Sequence, residues 1–154
     1  MRRFLRQRRG QALWNKDSTG QAYIELIMVL PIVLILLAGV LFFGRVLYLK
    51  IALDMASYDG ARAAVEALEE GAGISQGVIA AQNTLAGFHV NWAAAQIEVV
   101  PVGPWQRGAQ VYCRIGFNLD VSDVPFIGRI WGGGLSIPMQ SVAWSRVETL
   151  RSEW

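Results

Sequence analysis

Gly20-Gln21-Ala22-Tyr23-Ile24-Glu25 opens the stretch on which the reading of this chain turns. From Leu26 to Gly44 no residue carries a charged, amide or hydroxyl side chain. Those 19 residues approach the roughly 20 that a helix needs to cross a bilayer core. Pro31 stands inside the run, where it removes the hydrogen bond to the carbonyl of Ile27 and disfavours a straight helix. Gly39 and Gly44 are two more soft points, but their spacing of five is not that of the GxxxG helix-pairing motif. Glu25, at the mouth of the run, follows Gly20 by five residues.

Charge is divided unevenly along the chain. Six of its 14 Lys/Arg and one of its 12 Asp/Glu lie in residues 1–20, so this leader carries +5 and the remaining residues −3. The formal charge of +2 therefore describes neither part. A basic leader ahead of an apolar run fits the positive-inside bias of a cytoplasmic membrane face, and its arginines resist translocation. No basic patch with interleaved aromatics follows, which argues against a nucleic-acid partner. The leader could instead be the charged end of a secretory signal. The apolar run is long for that, and no small-x-small cleavage site closes it, so a retained span is expected.

Beyond the span, Arg45 to Leu68 has no proline and is rich in Ala, Leu, Met and Glu, with i,i+4 pairs at Lys50/Asp54 and Arg62/Glu66. The helix is expected to continue from Ile24 to Leu68, about 68 Å at 1.5 Å per residue, and to stop at Gly71-Ala72-Gly73. Asn15 to Gly20 reads as turn-like. Ile74 to Leu85 reads as a second helix closed by Gly87. Period two then takes over. Ile97 to Val102 is a short strand in which Pro101 suits an edge. Ala109 to Val121 alternates, with Val111, Cys113, Ile115, Phe117 and Leu119 on one face. Gly132-Gly133-Gly134 reads as a turn before a third strand over 135–148. The order is expected to give an α+β fold: a long N-terminal transmembrane helix running into a small head with a short helix and an antiparallel sheet. The domains divide as residues 1–20 (basic leader), 21–70 (long transmembrane and assembly helix) and 71–154 (exported head).

Gly20 and Glu25 have the spacing of the type IV pilin cleavage signature. With Pro31, Gly39, Gly44-Arg45 and Tyr58-Asp59-Gly60-Ala61-Arg62-Ala63-Ala64, the segment 18–66 resembles the TadE-like pseudopilins of the tight-adherence (Flp) pilus. The resemblance implies a pilin-like fold and cleavage by a prepilin peptidase between Gly20 and Gln21, which makes Glu25 the fifth mature residue. It implies pairing of Glu25 with the new α-amine of the same or a neighbouring subunit, and places Glu25 and Pro31 in subunit assembly. The partners implied are the membrane, other pilin or pseudopilin subunits, the peptidase and an inner-membrane platform. The location implied is the cytoplasmic membrane, with the leader inside and the head exported. Gly10-Gln11-Ala12 repeats the start of the signature, but Asn15 stands where the acid should be.

No enzymatic site, cofactor or metal is expected. One histidine, His89, and one cysteine, Cys113, exclude the usual His/Cys zinc sets. His89 is expected on a loop. No nucleophile-elbow, phosphate-loop or dinucleotide motif occurs. Asp120-Val121-Ser122-Asp123 reads as a turn rather than a calcium site. Trp92, Trp105, Trp131 and Trp144 read as packing residues, with a binding face as the alternative. Cys113 is expected to be buried against the long helix rather than paired across chains. The competing functional reading is a single-pass protein whose exported head binds a ligand or partner.

Overall fold

The structure, a computed structural model, describes residues 8–120 and 136–147, with side chains from Gly20 onward. Their order is helix α1 (Arg8–Glu66), helix α2 (Glu70–Gly87), a 3-10 turn (Trp92–Ala94) and strands β1 (Gln96–Val102), β2 (Gln110–Asp120) and β3 (Ser136–Arg146). This is the expected α+β, pilin-like arrangement. The Gly132–Gly134 turn, Trp131 and Asp123 lie outside the described residues. The chain divides into two units, residues 1–41 and 42–154, and α1 contributes to both.

In the first unit, α1 starts earlier than expected. Asn15 to Gly20, read as a turn, is helical. Turn preferences there are weak, and each residue added to an existing helix gains a bond for one residue fixed. Pro31 is held inside the helix. Every side chain from Gln21 to Leu37 is exposed.

In the second unit, α1 buries Leu49, Ala52, Leu53, Ala56, Ser57, Gly60, Ala61 and Ala64, a stripe recurring every three or four residues. It ends at Glu66, and Ala67-Leu68-Glu69 breaks the chain. Gly71-Ala72-Gly73 is therefore not the stop expected: it lies in the first turn of α2. Gly73 is there for closeness. A methyl group on it would lie 2.7 Å from the Ala64 carbonyl oxygen and 2.7 Å from the Trp105 ring.

The end of α2 falls at Gly87, as expected. The left-handed residue that caps it is His89, at φ 56°. Its N–H donates to Ala86 O, and that of Val90 donates to Leu85 O. Together these form a Schellman close.

The sheet is antiparallel in the order β1-β2-β3. Glycines with positive φ at 103 and 108 turn the β1–β2 connection. The inward face of β2 is the one the alternation predicts: Val111, Cys113, Ile115 and Leu119 are buried and Phe117 partly so. Leu53, Leu85 and Ile115 are closed off completely, each contributing about 1.5–3 kcal/mol over an exposed side chain.

Candidate processing and assembly site

Gly20, Gln21, Glu25 and Pro31 all sit on the exposed part of α1. Nothing lies within 4 Å of where a Gly20 side chain would be. Gln21 and Glu25 are one helical turn apart, about 6 Å along the axis. Cα–Cβ bonds tilt toward the helix N-terminus, so Glu25 leans back toward Gln21. Among the described residues Glu25 has no ion-pair or hydrogen-bond partner. The most apolar 18-residue window of the helix has a mean hydropathy of 3.1, and none of it is buried. That surface suits a helix crossing a bilayer core and is not packed as a core helix would be.

In the head, α1 presents two faces. One carries the buried stripe. The other exposes Leu47, Ile51, Met55 and Tyr58, at steps of four, four and three. This outer apolar line shares one side of the helix.

The inner face is fixed by contacts that the sequence reading missed. Gly60 in α1 and Gly77 in α2 meet almost backbone to backbone. A methyl group on Gly77 would lie 2.7 Å from Gly60 O, and one on Gly60 would lie 2.8 Å from Cys113 Sγ. The signal was present in two four-residue rhythms, Ala52-Ala56-Gly60-Ala64 and Gly73-Gly77-Ala81. Thr84 Oγ1 donates to Asp59 Oδ2 at 2.7 Å, and Tyr48 Oη to the Phe88 carbonyl at 3.0 Å.

A second polar lock joins α1 to β3. Lys50 Nζ donates to Asp54 Oδ1 at 2.7 Å and to the Gln140 carbonyl at 3.0 Å. Ser141 Oγ donates to the same Asp54 oxygen, and the Ser57 and Ser141 hydroxyls are 2.9 Å apart. Partial burial pushes the Asp54 pKa up. The bonds from Lys50 and Ser141 and the Lys50 charge outweigh it and hold the carboxyl below its ordinary value. The Lys50–Asp54 pair was expected from its spacing; Ser141, 87 residues from Asp54, was not. Arg62–Glu66 also forms, at 3.6 Å.

Cys113 lies where expected, fully buried, and burial pushes its thiol up to about 11. Among the described residues, Trp92, Trp105 and Trp144 are not gathered. Trp105 packs over Gly73, Trp144 stands on the outer sheet face beside Tyr112 at 5.0 Å between rings, and Trp92 is exposed in its 3-10 turn.

Among the described residues, one exposed apolar helix and a helix-backed antiparallel sheet make a pilin-like α+β fold that fits a single-pass membrane protein. Residues 20–62 match the family of TadE-like proteins. The match starts on Gly20 and runs to Arg62, so this stretch of α1 is similar to TadE-like proteins. No curated protein and no solved structure matches the chain.

Proposed function

We propose that the chain is a pseudopilin or minor pilin: a structural component of pilus assembly, not an enzyme. A prepilin peptidase cuts it after Gly20. The observation that carries this reading is the family match that opens on Gly20. The bare helix surface at Gly20 supports it, since a peptidase needs an uncluttered backbone there. Cleavage frees an α-amine on Gln21, one turn from Glu25. A charged carboxylate costs on the order of 2.5–3.5 kcal/mol at the centre of a span and less toward its end, so a paired amine offsets a real penalty. Pro31 shapes the helix for packing among neighbouring subunits. The leader stays in the cytoplasm, the head is exported through the inner membrane, and the outer line Leu47-Ile51-Met55-Tyr58 meets other subunits. The assembly platform in that membrane is the remaining partner.

Mass spectrometry of the protein from cells that hold the peptidase tests the reading. The expected mature terminus is Gln21, and Gly20→Leu leaves the chain intact while Gly10→Leu does not. An intact residue 1 in the unaltered protein overturns it and favours a single-pass protein with a ligand-binding head. Glu25→Gln is expected to insert and yet assemble poorly; normal assembly removes the pairing.

A further inference from the structure

The open side of β3 contains a short stretch of backbone that nothing among the described residues guards. In an antiparallel pair, residues alternate between those bonded to the partner strand and those whose N–H and C=O point away. Val147 N–H donates to Ala109 O, across from it in the β2–β3 register. Counting back by twos, 145, 143, 141, 139 and 137 face β2, and the even residues 136–146 face the open side. The Lys50 bond to the Gln140 carbonyl, made from outside the ladder, agrees with this phase.

Guards stand at particular points on both edges of the sheet. On β3, Pro138 occupies an outward position and has no N–H to offer. Lys50 occupies the Gln140 carbonyl. On β1 the same count places Pro101 outward, opposite Val111. Proline and lysine at outward positions are how sheet edges are kept from pairing. Past Gln140 these devices stop. Val142, Trp144 and Arg146 present N–H and C=O groups with no partner among the described residues. Val142 and Trp144 also expose 41% and 59% of their surface.

We propose that Val142–Arg146 is a strand-addition site for an extended segment of a different polypeptide in the same assembly. This rests on the assembly reading above. Alternating outward donors and acceptors are complemented by another extended backbone. The side chains specify the segment further. Apolar residues on its outer face continue the row Val100-Tyr112-Trp144, which the register sets side by side. Small residues fall next to Ala143 and Ser145. An acidic residue meets Arg146, which is exposed and forms no ion pair among the described residues. Lys50 argues against a second copy of β3. Antiparallel overlap of the whole open stretch, 140 against 146, needs the Gln140 carbonyl of each copy, which Lys50 already occupies.

Residue-resolved amide exchange tests this on the full chain, alone in detergent and in the complex isolated from its own membranes. The expected result is that the 142, 144 and 146 amides exchange freely in the chain alone and slow by on the order of tenfold or more in the complex. The 141, 143 and 145 amides are protected in both. Val142→Pro removes an outward donor and no ladder bond, so it is expected to melt normally and be lost from the complex, as is Arg146→Glu; Val142→Thr is expected to keep both properties. If Val142→Pro unfolds the head, the exchange data decide alone. An assembled chain whose 142, 144 and 146 amides still exchange freely overturns the proposal and leaves the assembly reading standing. Protection that grows with concentration in the pure chain gives the site to a second copy and also overturns it. A chain found in no complex removes both.

Discussion

The two parts of α1 have the same backbone and opposite surfaces. From Gln21 to Leu37 it exposes every side chain, and those from Leu26 on are apolar. From Leu49 to Ala64 it hides a narrow stripe that is half alanine, with one serine, one glycine and two leucines. The first part can be built from large, interchangeable apolar residues because lipid adapts to them. The second packs against protein, which does not adapt, and what it requires is smallness at particular positions. Hydrophobicity is the specification in one part and volume in the other.

That contrast can be broken most sharply by exchanging the two kinds of insult. Gly60→Leu puts a side chain where a single methyl already lies 2.8 Å from Cys113 Sγ and 3.1 Å from Gly77 O. A loss at or above the usual ~1–3 kcal/mol of overpacking is expected, read as failure of the head to give a cooperative melt. Gly39→Leu meets nothing within 4 Å and should leave the melt unchanged. Conversely, Leu34→Arg should reduce membrane insertion by about 2.5–3.5 kcal/mol in apparent free energy without altering the head. An effect of Gly39→Leu on the head's melt would end the division between the two parts.

A smaller effect is expected at Cys113. Cys113→Ser leaves a hydroxyl in an apolar site and should cost about 1–3 kcal/mol in denaturant unfolding. The thiol should label only as the head unfolds; rapid labelling of the native protein, or a disulfide-linked dimer, would reverse the orientation of β2. The sign of the pH effect follows from the raised pKa. The folded state holds the thiol proton up to about 11, whereas the unfolded thiol loses it from about 9.0. Stability should be level below pH 9 and fall between 9 and 11, by at most about 3 kcal/mol.

The smallest effect is expected at the Lys50–Asp54–Ser141 lock, whose ion pair is about half exposed. Lys50→Met should cost less than about 1 kcal/mol near neutral pH. The Asp54 pKa is lowered from 3.8. Its contribution is thus present above that value and lost as pH falls through and below it. Acid titration of the melting temperature should show a small step there that Asp54→Asn removes.

How much of this was legible depends on the range over which each signal acts. The span, the alternation in β2 and the Lys50–Asp54 pair are local patterns, and the sequence displays them directly. Glycine is ambiguous locally: Gly71-Ala72-Gly73 reads as a stop, but Gly73 serves a contact with Ala64 and Trp105 that only the folded chain creates. The same ambiguity hid the left-handed His89, since Gly87 nearby is the residue usually expected in that conformation. Ser141 was beyond reach because its partner Asp54 lies in the first half of the chain. At the candidate site, Gly20, Gln21, Glu25 and Pro31 were picked out by resemblance to the pilin signature, and the fold shows that all four lie on the exposed part of α1. The outer line of α1 was not picked out, because its residues resemble those of the buried stripe in type and differ in which side they face.

The glycine contact between α1 and α2 has one more implication, for uniqueness. Small residues recurring every four positions invite a helix to slip by one turn, about 6 Å, and find a nearly equivalent seat. Here neither slip is tolerated. Moving α2 one way brings Ala81 to the place of Gly77, where a Cβ would stand 2.7 Å from the Gly60 carbonyl. Moving it the other way brings Glu69 to the place of Gly73, beneath the Trp105 ring and against Ala64 O, where even one added carbon is 2.7 Å from both. The Gly60 carbonyl and the tryptophan at the β1–β2 turn together act as a vernier mark. It selects one alignment from a ladder of look-alikes, so the head locks in a single register although its helices are joined through their least distinctive residues.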